Sequence, residues 1–316
     1  MRSTIHRAVR QATRACCARQ PMTQQPGKSL LKNICLSSAA PTFTNQQKRL
    51  FSYQAPLDPI IDTVELSHAL SQLAPEISAS LSEHGYFSTS SPIFSREIIE
   101  AMRQQSINLR NEGRFEQSWS EKIDAATGQA TRFDKNGVFA CEPDGRDYDT
   151  APDLITYMSI LLQTLPPFLN GEELTSELDL SVASFNAKLA VTSPGGSVYP
   201  LHIDNPQGLS VDDTRKLTCI LYLNPDYKDK DGGELRIFLR GEEGLQTIDI
   251  APSGGRLLLF WSDEIPHEVL PTAPDAHVED EHLDRYALTI WIPTENIRNI
   301  HNPNTKWARL RDEAFP

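Results

Sequence analysis

The chain has 316 residues, 39% of them hydrophobic, with 30 Lys/Arg against 42 Asp/Glu and a formal net charge of -12. No run of about 18 apolar residues occurs, so no transmembrane helix is expected. Five cysteines, three of them (Cys16, Cys17 and Cys35) near the start, make neither a disulfide framework nor a zinc cluster, and the body reads as a protein of a reducing compartment.

The charge is unevenly placed. Residues 1–52 carry nine Lys/Arg and no acid, so 30 less nine leaves 21 basic residues against 42 acidic in the remainder. That balance argues against a basic patch for nucleic acid, and it suits a basic or neutral protein partner as well as a merely solvated surface. In 1–52, Arg2, Arg7, Arg10, Arg14 and Arg19 are spread among Ile5, Val9 and alanines, the composition of a transit peptide. Arg49-Leu-Phe-Ser52 resembles a matrix-peptidase site, so a mitochondrial address is expected. A plastid address, or a basic arm on a cytoplasmic or nuclear protein, is the alternative.

Beyond it, Leu66, Leu70, Leu73, Ile77 and Leu81 recur at helical spacing, predicting a helix over 62–84 that Pro75 breaks or kinks and Gly85 ends. Ser95 caps a second helix with Ile98, Ile99, Met102 and Ile107 as its buried stripe, ending near 111–113. Residues 114–150 are polar, with turn signals at Thr127-Gly128, Lys135-Asn-Gly137 and Pro143-Asp-Gly145 between short strands. A third helix is predicted over 153–168, ended by Pro166-Pro167. From 180 the pattern becomes short strands: 180–192, 217–223, 234–238, 247–250, 256–261, 267–270 and 285–292, separated by Gly- and Pro-rich turns. The expected fold is α+β: a double-stranded β-helix (jelly roll) with N-terminal supporting helices. The expected division is 1–52 targeting segment, 53–175 helical support, 176–293 jelly roll and 294–316 tail.

His202 and Asp204 stand two apart, so in an extended strand both leave the same face. A second imidazole would complete the two-His-one-carboxylate set that leaves open positions on non-haem Fe(II), and His267 is the candidate. A lone His-x-Asp is a weak signal, and a structural core histidine is the competing reading of His267. In strand 285–292 one face carries Arg285, Ala287, Thr289 and Trp291. A buried arginine is expensive unless paired. Its partner is either an acid from another strand or an anionic ligand, which the guanidinium fork would hold bidentately. Tyr222 shares a face with Thr218 and Ile220, as a core residue or as a second donor to that anion. Taken in order, His-x-Asp, a Gly-Gly strand, a later His and an Arg on the last strand are improbable as a chance assembly.

His202-Ile-Asp204-Asn-Pro206, Arg215-Lys-Leu-Thr-Cys-Ile-Leu-Tyr-Leu-Asn224, Gly232-Gly-Glu-Leu-Arg-Ile-Phe238, Arg256-Leu-Leu-Leu-Phe-Trp-Ser-Asp263, Pro266-His-Glu-Val269 and Arg285-Tyr-Ala-Leu-Thr-Ile-Trp291 resemble the core of the 2-oxoglutarate/Fe(II) prolyl 4-hydroxylases, closest to the branch that modifies hypoxia-inducible factor. The resemblance covers about a third of the chain. It implies His202, Asp204 and His267 as Fe(II) ligands and Arg285, helped by Tyr222, as the partner of the 2-oxoglutarate C5 carboxylate. Thr289 and Trp291 would line the co-substrate pocket, and Arg215 would lie at the entrance where the target peptide docks. It further implies O2 as oxidant, ascorbate as reductant, and a proline-containing protein substrate. Two departures stand out: Ser193 occupies a place where the family commonly has tyrosine, and an acidic insertion, 275–282, lengthens the link from His267 to Arg285. The insertion is expected as an extended hairpin at the rim, with His277 and His282 on the surface. A non-prolyl residue or a small molecule as substrate, or a non-catalytic jelly-roll binding module, are the alternative readings.

Overall fold

The computed structural model describes residues 58–123, 130–206, 213–241, 244–302, 305, 307 and 310–315. The basic segment 1–52, with its cleavage motif, and the turn signal Thr127-Gly128 lie outside them.

Helix α1 (Thr63–His84) starts where the Asp62 carboxylate accepts from the Val64 and Glu65 amides. It stops at Gly85, whose φ of 79° only glycine adopts freely and whose N–H donates to the Leu81 carbonyl. Pro75 does not divide it, because Leu70, Ala74, Ile77 and Leu81 are all buried on one face and hold the helix across the missing bond. Strand β1 (Tyr86–Ser88) follows, then α2 (Arg96–Asn111), capped by Ser95 as its sequence predicts.

Residues 114–150 are not a string of turns. They form β2 (Glu116–Ile123) and β3 (Ala130–Cys141), and Lys135-Asn-Gly137 is a bulge inside β3, not a turn between strands. The pairing jumps from Gln117↔Phe139 to Trp119↔Asp134, so extra residues accumulate on β3. Helix α3 (Pro152–Gly171) runs three residues past the predicted stop, with Pro166-Pro167 inside it. Its last turn is held from outside: Leu165 and Leu169 are buried, and the Asn170 amide clasps both backbone groups of Leu180. The buried Asp153 carboxylate of α3 ties α2 to the segment leading into α1, accepting from the Ile60 and Ile61 amides and, at 2.6 Å, from Gln105 Nε2.

The remaining strands are β4 (Asn186–Thr192), β5 (Ser197–His202), β6 (Arg215–Tyr222), β7 (Leu235–Gly241), β8 (Gly244–Ile250), β9 (Leu257–Trp261), β10 (His267–Thr272) and β11 (Arg285–Pro293). They make a seven-stranded sheet in the order β1-β9-β6-β11-β4-β3-β2 and a four-stranded sheet in the order β5-β10-β7-β8, with every pairing antiparallel. This is the jelly roll. Strand parity gives the large sheet two faces. Leu189, Val191, Leu217, Cys219, Leu221, Leu257, Leu259, Tyr286, Leu288 and Ile290 are all buried, in one apolar core with the helices. The opposite face looks toward the small sheet. Register places Thr218 beside Trp291, Tyr222 beside Ala287, and Thr192 beside Arg285 there.

The acidic insertion is no hairpin: β10 ends at Thr272, and turns and a short 3-10 segment (Glu281–Leu283) lead to β11. His277 and His282 are exposed. Helix α2 fastens the far end of this loop. Arg110 Nη1 meets Asp284 Oδ2 at 2.5 Å, and Arg103 Nη2 donates to the Asp284 carbonyl at 2.8 Å. In the tail, Trp307 is buried against Gly85, followed by the short helix α4 (Leu310–Ala314).

Candidate active site

His202 ends β5 and His267 opens β10, and the two residues are register partners. Asp204 lies just beyond the end of β5, yet its carboxylate folds back between the imidazoles. Oδ1 is 3.6 Å from His202 Nε2 and 3.8 Å from His267 Nε2, and the rings are 4.3 Å apart. One donor atom from each residue fits within 4.8 Å of the others. Each histidine is oriented from behind by its own chain: His202 Nδ1 donates to the Pro200 carbonyl (2.7 Å) and His267 Nδ1 to the Ile265 carbonyl (3.0 Å). That fixes the tautomer and turns both Nε2 lone pairs toward the carboxylate. Thr218 Oγ1 donates to Asp204 Oδ2 (2.8 Å) and is itself bonded to Ser262 Oγ (2.8 Å), so the carboxylate offers its other oxygen to the shared space.

Burial alone would raise Asp204, but His267, His202 and Trp291 together hold it far below the ordinary carboxylate range. Burial, and then the neighbouring His202 ring, push His267 down to about 4. One carboxylate oxygen and two imidazole Nε2 atoms therefore face a common point. This donor set fits a divalent first-row metal with positions left open.

Arg285 is 6% exposed and forms no ion pair among the described residues. Its Nε donates to the Gly233 carbonyl at 2.7 Å. Its guanidinium stands 5.2 Å from the Tyr222 ring centre. Around it the hydroxyls of Thr192 and Thr272 are buried with no partner among the described residues, and the buried Tyr222 hydroxyl faces the guanidinium itself. Thr192 is the register partner of Arg285. Thr272 meets it at Gly233, where an added Cβ would come within 2.9 Å of Arg285 Cδ and 3.0 Å of Thr272 Oγ1. Buried donors around an unpaired cation describe a cradle for an anion. Of the two partners open to Arg285 from sequence, the cross-strand acid is absent among the described residues.

Thr289 is half-buried on the same face, directly between Ile220 and Lys188. Trp291 is half-buried near Asp204, and the Arg215 guanidinium lies 5.4 Å from its ring centre. Arg215 also pairs with Asp213 at 2.5 Å. Arg215 and Trp291 line a groove of about 880 Å³ that runs out along β2 past Gln117 and Trp119. Ser193 caps no site: its amide donates to the Gly137 carbonyl beside the bulge of β3.

Several side chains escaped the sequence reading. Thr218 and Ser262 position Asp204, and nothing local marks them. Tyr199 was hidden by parity. Three residues from His202, it belongs on the other face of an even strand. A bulge in β5 pairs His202 and Tyr199 with His267 and Val269, which lie only two apart. The Tyr199 ring is thereby stacked 6.3 Å from His202, with its hydroxyl buried beside Ser118. Lys216 is 3% exposed and binds Asp263 (2.9 Å) and Glu264 (3.2 Å), both also buried. Asp263 accepts in turn from the His301 amide (2.7 Å), tying the tail to the strand that carries Thr218.

Residues 187–293 match the family model of the 2OG-Fe(II) oxygenase superfamily. Over 107 residues the chain is 44% identical to Egl nine homolog 1 of Rattus norvegicus, a match covering 33% of this chain and 27% of that protein. It is 36% identical over 115 residues to the hypoxia-inducible factor prolyl hydroxylase of Caenorhabditis elegans, covering 36% of this chain and 14% of the relative. The match thus spans less than a third of either relative's length. The structure superposes on a Trichoplax adhaerens prolyl hydroxylase solved with a hypoxia-inducible-factor oxygen-degradation-domain peptide fragment. The TM-score is 0.56 and the identity 26%, covering 77% of this chain and 98% of that one.

Proposed function

We propose that this chain, whose residues 187–293 form a 2OG-Fe(II) oxygenase domain, is a prolyl 4-hydroxylase of protein substrates. The observation that carries this reading is the convergence on one sheet interior of His202, Asp204 and His267 with an unpaired, buried Arg285. The similarity to a prolyl hydroxylase solved with a peptide supports a peptide in the groove.

His202, Asp204 and His267 would hold Fe(II). Arg285 and Tyr222 would take the C5 carboxylate of 2-oxoglutarate, with Thr289 and Trp291 lining its pocket. With iron, 2-oxoglutarate and O2 bound, the site supplies oxidative decarboxylation to succinate and CO2 coupled to hydroxylation, with ascorbate as the proposed reductant. The chain's own work is positional. The Pro200 and Ile265 carbonyls fix the imidazoles, Thr218 fixes the carboxylate, and Leu258, Phe260 and Ile220 keep water from the interior. Arg215, at the groove, would steady the peptide beside Trp291. Helices α1–α3 serve as support for the oxygenase domain and residues 294–316 as its tail. A role in oxygen sensing follows from the same reading, and mitochondrial import is the address that the composition of 1–52 supports.

The test is mass spectrometry of proteins from cells with and without the enzyme, joined to peptide-dependent succinate release by the purified protein. A gain of one oxygen on proline, with matching succinate, is expected. Succinate formed only with a small molecule, or oxygen gained on another residue, would replace the prolyl reading. N-terminal sequencing of the protein from isolated mitochondria tests the address; a chain intact from Met1 would refute processing near Ser52.

A further inference from the structure

Lys135 and Lys188 were given no role by the sequence, and the fold brings them together. Lys188 sits on β4 two and four residues before Ala190 and Thr192, on the inner face that also carries Arg285 and Thr289. Lys135 begins the bulge of β3. There Gly137, at φ 67°, lies so close to β5 that an added Cβ would meet Ser197 Oγ at 1.9 Å. That contact sets Lys135 over the Tyr199 ring, with its Nζ 4.4 Å from the ring centre; Lys188 Nζ lies 5.9 Å from the same centre. Both lysines are half-buried, and neither forms an ion pair among the described residues. Lys188 Nζ makes a long hydrogen bond, 3.4 Å, to Ser118 Oγ.

Two ammonium groups drawn out of water over one ring repel; the Asp204 carboxylate opposes this at each, and a further anion reaching both would relieve them more. Burial, and then Lys188, lower Lys135 to about 8. The Tyr199 hydroxyl, buried beside Ser118, adds a neutral donor at the same place. Because Tyr199 stacks on His202, this place adjoins the metal-ligand set, and through Lys188 it opens on the groove.

We propose that Lys135, Lys188 and Tyr199 form a second anion subsite of the barrel, separate from Arg285, which takes a carboxylate. The proposal rests on the reading of the site as a peptide oxygenase. The carboxylate is either an acidic side chain near the target proline or a carboxylate of the co-substrate. Two point charges and one hydroxyl match the two oxygens of a carboxylate, and an acidic side chain reaching them would fix the register of the peptide.

The test compares wild type with the doubly substituted proteins K135M/K188M and K135R/K188R, after circular dichroism has shown all three folded. Each is immobilised with Mn(II) and 2-oxoglutarate and given 12-residue peptides with a fixed central proline and random flanks. Retained peptides are sequenced, and the 2-oxoglutarate Kd is measured by calorimetry. Wild type is expected to enrich Asp and Glu about tenfold at flanking positions. The methionine pair abolishes the enrichment, the arginine pair keeps it, and the 2-oxoglutarate Kd stays within about twofold. A tenfold weaker 2-oxoglutarate Kd in the methionine pair, without acidic enrichment in wild type, places the co-substrate's carboxylate in the subsite. No enrichment together with unchanged 2-oxoglutarate binding overturns the subsite. Oxygen transfer to the same peptides under iron is scored separately. Its absence would count against the prolyl reading and leave the retention result standing.

Discussion

The site divides its labour among side chains whose roles can be separated by substitution. Among the described residues Asp204 is the one carboxylate between the imidazoles, fixed by Thr218 on one oxygen and offering the other. Asp204→Ala should abolish hydroxylation and lower Fe(II) affinity by at least about tenfold, read by iron titration as well as by succinate release. Full turnover by iron-loaded variant protein would exclude Asp204 as a ligand. Arg285→Ala should raise the 2-oxoglutarate Kd about 30-fold or more, near the 2 kcal/mol lower end for truncating one partner of a buried charge pair. An unchanged Kd would return Arg285 to a structural role. Glu264 is raised to about 7, first by burial and then by Asp263, with Lys216 opposing. A carboxyl raised in the folded state stabilises fully below its unfolded value, near 4.3, and loses that contribution as pH rises through about 7. Urea unfolding of Glu264→Gln at pH 5 and pH 7.5 should therefore show a smaller loss of stability with rising pH than wild type. The difference should exceed about 1.4 kcal/mol, the worth of one pKa unit. Equal slopes would show that Lys216 offsets the burial entirely.

At the scale of elements, the site depends on irregularities in otherwise ordinary strands. The bulge in β5 turns Tyr199 onto the His202 side, and the bulge in β3 carries Lys135 inward. The turn into β7 lets the backbone touch Arg285. Gly233 has φ 73°, and its carbonyl accepts from Arg285 Nε. Gly233→Ala should both strain the turn and displace the guanidinium, weakening 2-oxoglutarate binding about tenfold in calorimetry. If the affinity held while thermal stability fell, the contact with Arg285 would be packing alone.

At the scale of the whole fold, the described residues are held together by the apolar face of the large sheet against α1–α3, and by a tail that crosses back over it. The His301 amide reaches Asp263, and Trp307 packs on Gly85, where α1 gives way to β1. Trp307→Ala should destabilise the fold by about 3 kcal/mol or more in urea unfolding, the range for truncating a buried aromatic. A loss under about 1 kcal/mol would show the tail lying outside the cooperative unit.

The sequence by itself marked the helices, most of the strand series and the candidate triad His202, Asp204 and His267 that the fold brings together. Period-3.6 stripes, period-2 alternation and the His-x-Asp pair are local signals, and burying one face requires them. It could not place residues whose position depends on partners distant in the chain. The diproline stays helical because Asn170 clasps Leu180, and the predicted turn at Lys135 is a bulge because β2 and β5 flank it. Tyr199 changes face through pairing with β10. That Arg285 meets no acid among the described residues, and that Lys135 and Lys188 both stand over the Tyr199 ring, are facts of strand order and register, which only the closing of the two sheets decides.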